Sequence, residues 1–231
     1  GLSPDVVLFA AFGKITPEKR VTQALRALAR VAHETPWHMM LCGEQVDHYD
    51  PRADARLFGV SDRVTVTGYI DEDEMPGYVD AADVCVCLRW PTSRETSASW
   101  LRCLAAGKPT IVTDLVHLTD VRSLDPRDWT VAGSPARPDA VGPVVRPACI
   151  SIDIVDEDHS LGLALRRVST DRDLRETLGQ SARQLWTDRF ALDRMAAAYA
   201  RVMARVSGTR ADGHRPGDMP PHLRRDGTDL A

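Results

Sequence analysis

The sequence predicts a domain of the α/β class, in which a doubly wound sheet of six parallel strands is followed by C-terminal helices. Short apolar segments alternate along the chain with segments in which apolar residues recur at helical spacing. Several of the apolar segments are continuously apolar, which is typical of strands that have helices on both faces of their sheet. The repeated order of strand, helix and strand therefore favours a parallel sheet.

Six strands are predicted from the apolar segments. In chain order they are Val6–Phe12, Trp37–Cys42, Arg63–Thr67, Asp83–Leu88, Thr110–Thr113 and Cys149–Val155. Helices are predicted over residues 21–32, over Glu74–Ala82 after an acidic run that suits a helix N-terminus, and over Thr96–Ala106, which ends at Gly107. Three more helical patterns follow the last strand: Ser160–Val168, Asp171–Thr187 and Ala191–Val206.

The composition indicates one folded domain and a tail. Hydrophobic residues make up 43% of the 231 residues and charged residues 27%, which predicts a chain that folds around a core. Residues 207–231 are rich in Gly, Pro, Arg and Asp and nearly lack large apolar side chains. We therefore expect one α/β domain over residues 1–206 and a disordered tail over 207–231. The stretch 116–148 receives no assignment.

Charge and cysteine usage narrow the class of protein. The formal net charge is −4, so nucleic acid is not expected as a partner. The five cysteines form no CxxC pair and lie mostly in apolar segments, which favours buried free thiols in a reducing compartment. With no long apolar run and no signal peptide, we expect a cytoplasmic protein, and peripheral attachment to the inner face of the membrane stays open. The chain starts without Met, so a fragment of a longer protein is expected.

A candidate phosphate-binding turn follows the first strand. That strand ends at Gly13, and Pro17 is typical of the first position of a helix. In doubly wound folds this turn is where phosphates bind. Lys14 and Lys19 would place two cations there, although lysines in a solvated loop would show the same spacing. The turn lacks the GxGxxG pattern, which gives little support to a dinucleotide-binding fold.

A second candidate follows the fourth strand, at the topological switch point of the commonest strand order. Thr96 or Ser97 is suited to cap the next helix, and Ser99 adds a hydroxyl. The backbone amides of such a helix start accept an anion well. An ordinary N-cap without a ligand explains the same residues, so both interpretations stay open at this point. The histidines have no metal-ligand spacing, and neither a metal nor a cofactor is expected.

Six short segments, taken in order and spacing, resemble one family. They are Gly13-Lys14, Glu18-Lys19, Leu41–Glu44, Val66–Ile70, Ala82–Val84 and Leu104–Val112. The chain is similar over roughly residues 6–204 to the C-terminal domain of retaining GT-B glycosyltransferases of group 1, family 4-like. The resemblance implies a Rossmann-like fold, a nucleotide-diphosphate sugar as donor substrate, an unidentified acceptor, and an acceptor-binding domain on the N-terminal side.

The resemblance also assigns roles in the first and third turns. Lys14 and Lys19, beside Gly13, correspond to the basic pair that grips the donor diphosphate. The loop that contains Tyr69 and Ile70 lies by the nucleotide base in relatives. The two lysines are therefore expected to bind the donor and to act in catalysis by stabilising the departing diphosphate.

At the switch point, the resemblance implies contacts from Glu95, Thr96 and Ser97 to phosphate and sugar. Relatives usually carry two glutamates here, and their positions fall on Arg94 and Arg102 in this chain. Glu95, one residue on, is expected to take over the first role and to be catalytic. The second role, a carboxylate that accepts from ribose hydroxyls, has no evident replacement.

Three functions compete at this point. The first is an enzyme of hexosyltransferase type that transfers a sugar with retention of its anomeric configuration. This chain would then be a fragment of it without the acceptor domain. The second is a non-catalytic nucleotide-binding or interaction module of the same fold, which the two arginines favour. The third, a different doubly wound nucleotide-binding protein such as a dehydrogenase, is disfavoured because the GxGxxG pattern is absent.

Overall fold

A computed structural model of the chain describes residues 2–92, 96–132 and 146–208. The strands are β1 (Val7–Phe12), β2 (Trp37–Cys42), β3 (Val64–Gly68), β4 (Val84–Cys87), β5 (Thr110–Thr113), β6 (Ser123–Leu124), β7 (Val131–Ala132) and β8 (Cys149–Ile152). They form one sheet in the order β3-β2-β1-β4-β5-β8-β6-β7. Only β7 runs antiparallel to its neighbour, and the other pairings are parallel.

The predicted doubly wound parallel sheet is confirmed, but its strand number is wrong. All six predicted strands are present, and the sheet has eight. The additional strands β6 and β7 lie in the stretch 116–148 and have two residues each. Two residues are too few to show an apolar run or an alternation, so the sequence carries no signal for them.

In the described part of the chain, seven α-helices connect and follow the strands: α1 (Val21–Val31), α2 (Pro51–Leu57), α3 (Met75–Ala81), α4 (Ala98–Ala105), α5 (Glu157–Thr170), α6 (Arg172–Leu185) and α7 (Leu192–Gly208). Short 3-10 turns lie at Pro17–Lys19, Ser61–Arg63, Val116–Leu118 and Ile154–Asp156, and a π-helical turn at Trp186–Phe190. Helix α2 was not predicted. Its start is nevertheless readable, because the Asp50 side chain accepts from the Arg52 backbone N–H and Pro51 occupies the first helical position.

Two apolar clusters cover the two faces of the sheet. Successive side chains of β1 point to opposite faces, so Phe9 belongs to one cluster and Ala10 to the other. The Phe9 side is covered by α1 and α5, whose Leu28 and Leu161 are fully buried. The Ala10 side is smaller and is covered by α3 and α4, with Cys103 of α4 buried against it. The chain therefore crosses to both faces, as a doubly wound sheet requires.

The chain divides into two compact units. The first ends at Asp188 and the second begins at Arg189. The first contains the sheet and helices α1 to α6. In the second, the described residues form α7, where apolar side chains recur every three or four residues. This helix extends to Gly208, so the first two residues of the predicted tail are helical. The rest of the predicted tail, 209–231, lies outside the described residues. No helix of the described part is long and apolar enough to span a membrane.

Candidate functional site

The carboxyl ends of β1 and β4 lie side by side at the point where the strand order reverses. From β1 the chain continues to β2 and β3 on one side of the sheet, and from β4 to β5 on the other. Crevices of this kind, outside the carboxyl ends of the strands, are where doubly wound folds bind ligands. The turn after β1 and the start of α4 both lie here, so the sheet brings the two predicted phosphate-binding segments together.

Gly13 forms the centre of the turn after β1. Its φ is +85°, and its backbone N–H donates to the carbonyl of Cys42 at 2.9 Å. A Cβ on Gly13 would lie 3.3 Å from both Lys19 Nζ and Ser99 Oγ. A Cβ on Gly43 would lie 2.3 Å from the Gly13 carbonyl oxygen. The turns after β1 and β2 thus touch through their backbones, and glycine is required at the contact.

Lys19 and Ser99 converge on one backbone carbonyl. The Lys19 ammonium donates to the carbonyl of Phe12, and the Ser99 hydroxyl donates to the same oxygen at 3.1 Å. Among the described residues no carboxylate pairs with Lys19. Burial lowers the pKa of the Lys19 ammonium, and the nearby positive charge of Arg89 acts in the same direction. The crevice therefore holds a half-buried cation that no carboxylate of the described residues compensates.

Helix α4 begins at the other wall of the crevice. Ser97 is its N-cap, and its hydroxyl accepts from the backbone N–H of Trp100 at 3.3 Å. Thr96 precedes the cap. The first amides of the helix have no helical acceptor and point out of its N-terminus, where they attract an anion. Glu95 and Arg94, the other residues of interest here, lie outside the described residues.

The remaining predicted residues lie along the same edge of the sheet. Lys14 is exposed in the turn after β1. That turn pairs with the turn after β2, since the Ile15 N–H donates to the Glu44 carbonyl at 2.7 Å. In the loop after β3, the Tyr69 side chain is 75% exposed, whereas the Ile70 side chain is buried in the core. Tyr69 is thus open to a ligand, and Ile70 would have to contact one through its backbone.

Sequence reasoning missed Arg89 as a crevice residue. Its backbone N–H donates to the Thr113 hydroxyl at 2.9 Å, which fixes the segment after β4 against the end of β5. Its charge acts on Lys19, so the two cations lie near one another. A basic residue directly after a buried strand at the switch point is the signal that would have identified it.

Arg102 has a partner on the neighbouring loop. Its guanidinium donates to both carboxylate oxygens of Glu72, at 2.9 and 2.7 Å. The pair borders a cavity of about 350 Å³ between α3 and α4, whose apolar wall includes Met75 and Val79. A carboxylate is therefore held close to α4 although position 102 itself carries a cation.

A larger cavity, of about 850 Å³, lies at the opposite, amino edge of the sheet. Three of its basic residues donate to carbonyls in the last turns of α3, α4 and α5: Lys108, Arg183 and Arg175. Cations at helix C-termini complement the helix dipole. These charges therefore have a structural explanation, and we assign no ligand to this edge.

Solved structures share this fold. HepE from Anabaena, solved with UDP and glucose, superimposes with a TM-score of 0.67 at 13% identity, covering 87% of this chain and 49% of that one. For sucrose-phosphate synthase from Thermosynechococcus elongatus the TM-score is 0.65 at 19% identity, with 89% and 47% covered. The C-terminal domain of LpcC, a glycosyl transferase group 1 family protein from Francisella tularensis, gives 0.59 at 18% identity, with 80% and 87% covered.

The chain thus spans about half the length of the first two structures and most of the third, which is a C-terminal domain. No curated protein matches it in sequence. A family model described as glycosyl transferases group 1 matches residues 4–136, more than half of the chain and the part that contains the crevice. The chain therefore belongs to the glycosyl transferases group 1 family.

Proposed function

We propose that this chain binds a nucleotide-diphosphate sugar in the β1–β4 crevice and forms the donor half of a glycosyltransferase. The observation that carries the proposal is the half-buried Lys19 ammonium, which meets Ser99 of α4 on the Phe12 carbonyl and has no carboxylate partner among the described residues. A partly desolvated cation of this kind favours binding of an anion that compensates it. A diphosphate matches it, because it also accepts from the amides at a helix N-terminus.

The proposed reaction transfers a hexosyl group with retention of its anomeric configuration. Negative charge develops on the diphosphate as the bond to the sugar breaks. Lys14 and Lys19 would neutralise that charge together with the α4 amides, which are already oriented before the reaction. The lysines supply the positive charge that a divalent metal would otherwise bring, so we expect activity without a metal. Glu95 would meet the sugar.

The structural relatives support a nucleotide sugar as donor. HepE was solved with UDP-glucose as well as with UDP and glucose. Because this chain covers about half of that structure, we propose that the acceptor is bound by a separate N-terminal domain.

The charge reversal at position 102 favours a second candidate, a nucleotide-binding module that no longer catalyses transfer. Arg102 donates to Glu72, and a guanidinium cannot accept from ribose hydroxyls as a carboxylate at this position would. Such a module would keep the diphosphate grip and lose discrimination for the sugar.

Calorimetric titration with UDP, GDP and ADP tests the binding site, with NAD as the dinucleotide control. We expect Lys19→Met to weaken binding of the preferred nucleoside diphosphate by roughly 10- to 100-fold, because a charge-assisted bond to phosphate is lost. The matched control is Lys108→Met, which removes a half-buried lysine at the amino edge. Unchanged affinity in a folded Lys19→Met protein, or an equal loss in both variants, would refute the assignment.

Comparison of a nucleotide sugar with its free diphosphate separates the two candidates. In a transferase, Glu95→Gln lowers the affinity for the nucleotide sugar, because the carboxylate contacts the sugar. The affinity for the free diphosphate stays the same or rises. In a module without chemistry, Glu95→Gln changes neither affinity.

A further inference from the structure

Trp90 is the tryptophan of this chain that the fold leaves uncovered. Its side chain is 41% exposed. All five tryptophans lie in the described residues, and the other four are buried in the core or covered by a guanidinium: Trp37, Trp100, Trp129 and Trp186. An indole is the largest apolar side chain, and at this exposure part of its surface is available to a ligand.

The backbone holds Trp90 at the rim of the crevice. Its N–H donates to the Glu18 carbonyl at 2.8 Å, which places it against the 3-10 turn that carries Lys19. The preceding residue, Arg89, is fixed to Thr113 on β5. The Trp90 backbone is thus held between the ends of β1 and β5, beside the turn that carries Lys19.

We propose that Trp90 is a sugar-stacking residue, whose indole face packs on the apolar C–H face of a pyranose ring at the crevice. This inference rests on the proposed function, since it places the sugar beyond the diphosphate that Lys19 holds. Diphosphate recognition needs cations and amides, which the crevice supplies elsewhere. A sugar ring needs an apolar plane in addition to hydrogen-bonding groups, and the described residues of this rim offer that plane at Trp90.

The pyranose has two sources, the nucleotide sugar itself or the acceptor, and both present the same C–H face. The nucleotide-sugar source predicts that Trp90 distinguishes UDP-glucose from UDP. The acceptor source predicts that a free glycoside reaches Trp90 while UDP occupies the crevice.

The test uses Trp90→Ala and Trp90→Phe, titrated with UDP, UDP-glucose, and methyl α-D-glucopyranoside in the presence of UDP. GDP and GDP-mannose replace the uridine pair if GDP is the tighter ligand. We expect Trp90→Ala to lower the affinity for UDP-glucose by roughly 5- to 30-fold and to leave the affinity for UDP unchanged. Trp90→Phe should retain most of the affinity for UDP-glucose. Tryptophan emission should shift to the blue with UDP-glucose in the unmutated protein and not in Trp90→Phe. Val155→Ala is the control, because Val155 is an apolar residue 91% exposed after β8 at the same edge.

The outcomes separate this inference from the proposed function. A loss of affinity in Trp90→Ala that is specific to UDP-glucose supports stacking on the donor sugar. A loss of affinity for the glycoside alone supports stacking on an acceptor. UDP binding with no effect of Trp90→Ala on either sugar overturns the inference and leaves the proposed function intact. An equal loss of affinity for UDP and UDP-glucose also overturns the inference, since Trp90 would then act only by holding the 3-10 turn that carries Lys19. If UDP does not bind the unmutated protein, the proposed function fails, and a missing glycoside response overturns the stacking role as well.

Discussion

At Lys19, burial and charge oppose each other. Burying an ammonium without a carboxylate costs free energy that a binding site recovers when its anion arrives. We therefore expect Lys19→Met to keep the free energy of unfolding within about 1 kcal/mol of the unmutated protein or to raise it, because Ser99 still donates to the Phe12 carbonyl. Urea denaturation measures this. Lys108→Met should instead lower stability by about 0.5–1 kcal/mol, since Lys108 donates to a carbonyl in the last turn of α3. A large loss in Lys19→Met would show that the lysine serves the fold.

The pH dependence of diphosphate binding follows from the same lysine. Its pKa in the folded protein is lowered, mainly by burial. Between that lowered pKa and the ordinary value of a lysine, the unfolded chain binds more protons than the folded one, so this residue makes stability rise with pH in that window. Binding has the opposite sign, because the diphosphate needs the protonated form. We expect the affinity for the diphosphate to fall as pH rises through the lowered pKa, and calorimetry across the alkaline range in Lys19→Met should show a flatter profile.

Individual residues were predictable where a local rule applied. The positions of Gly13, Lys14 and Lys19 follow from a turn between a buried strand and a helix. The convergence of Lys19 and Ser99 on one carbonyl does not, because it depends on how α4 packs against the end of β1. The ion pair of Arg102 could not be predicted either, since Arg102 lies on α4 and Glu72 lies in the loop after β3.

Among the connecting elements, the turns after β1 and β2 depend on a backbone contact at Gly43. A Cβ there would lie 2.3 Å from a carbonyl oxygen that cannot move without displacing the Gly13 turn. We expect Gly43→Ala to lower the free energy of unfolding by about 2–4 kcal/mol and to weaken diphosphate binding. Gly59→Ala is the control, because Gly59 also has positive φ, at +69°, but open space around it. Its cost should be only about 1 kcal/mol. Equal losses in thermal denaturation would contradict a steric role for Gly43.

An ion pair links the lysine turn to α5. Arg20 donates to both carboxylate oxygens of Glu157, and the Glu157 side chain is 7% exposed. Glu157→Gln leaves the Arg20 charge largely uncompensated, so we expect a loss of about 2–4 kcal/mol in urea denaturation. Glu176→Gln, which breaks the exposed pair with Arg172, should cost at most about 0.5 kcal/mol. Similar values for the two variants would mean that the Arg20 pair is as weak as a surface pair.

Secondary structure was predictable in proportion to its length and burial. Several of the six predicted strands show continuous apolar runs, and all six are present. The two-residue strands β6 and β7 left no such pattern. Helix α2 was missed because seven residues give too few turns for a helical period to stand out, although its Asp-Pro start is a local signal.

For the whole molecule, the sequence predicted the sheet class and hence the crevice. A parallel sheet with helices on both faces has few possible connections, and the switch point follows from the strand order. The end of β1 and the start of α4 therefore meet, although Phe12 and Ser99, whose carbonyl and hydroxyl join them, are 87 positions apart in the sequence. The packing distances within the crevice required the folded structure.

The last prediction concerns the stability of the folded domain with its ligand. A ligand that binds only the native state adds about 2.7 kcal/mol to the free energy of unfolding at a concentration one hundred times its Kd. For a chain of this size, that corresponds to a rise of roughly 5–10 °C in Tm. We expect the preferred nucleoside diphosphate to produce this rise in the unmutated protein and in Trp90→Ala, and a much smaller one in Lys19→Met at the same concentration. Differential scanning fluorimetry over a ligand series measures it. A rise of equal size in Lys19→Met would place the stabilising ligand outside the crevice, because the cation that the diphosphate is proposed to meet would then contribute nothing to its binding.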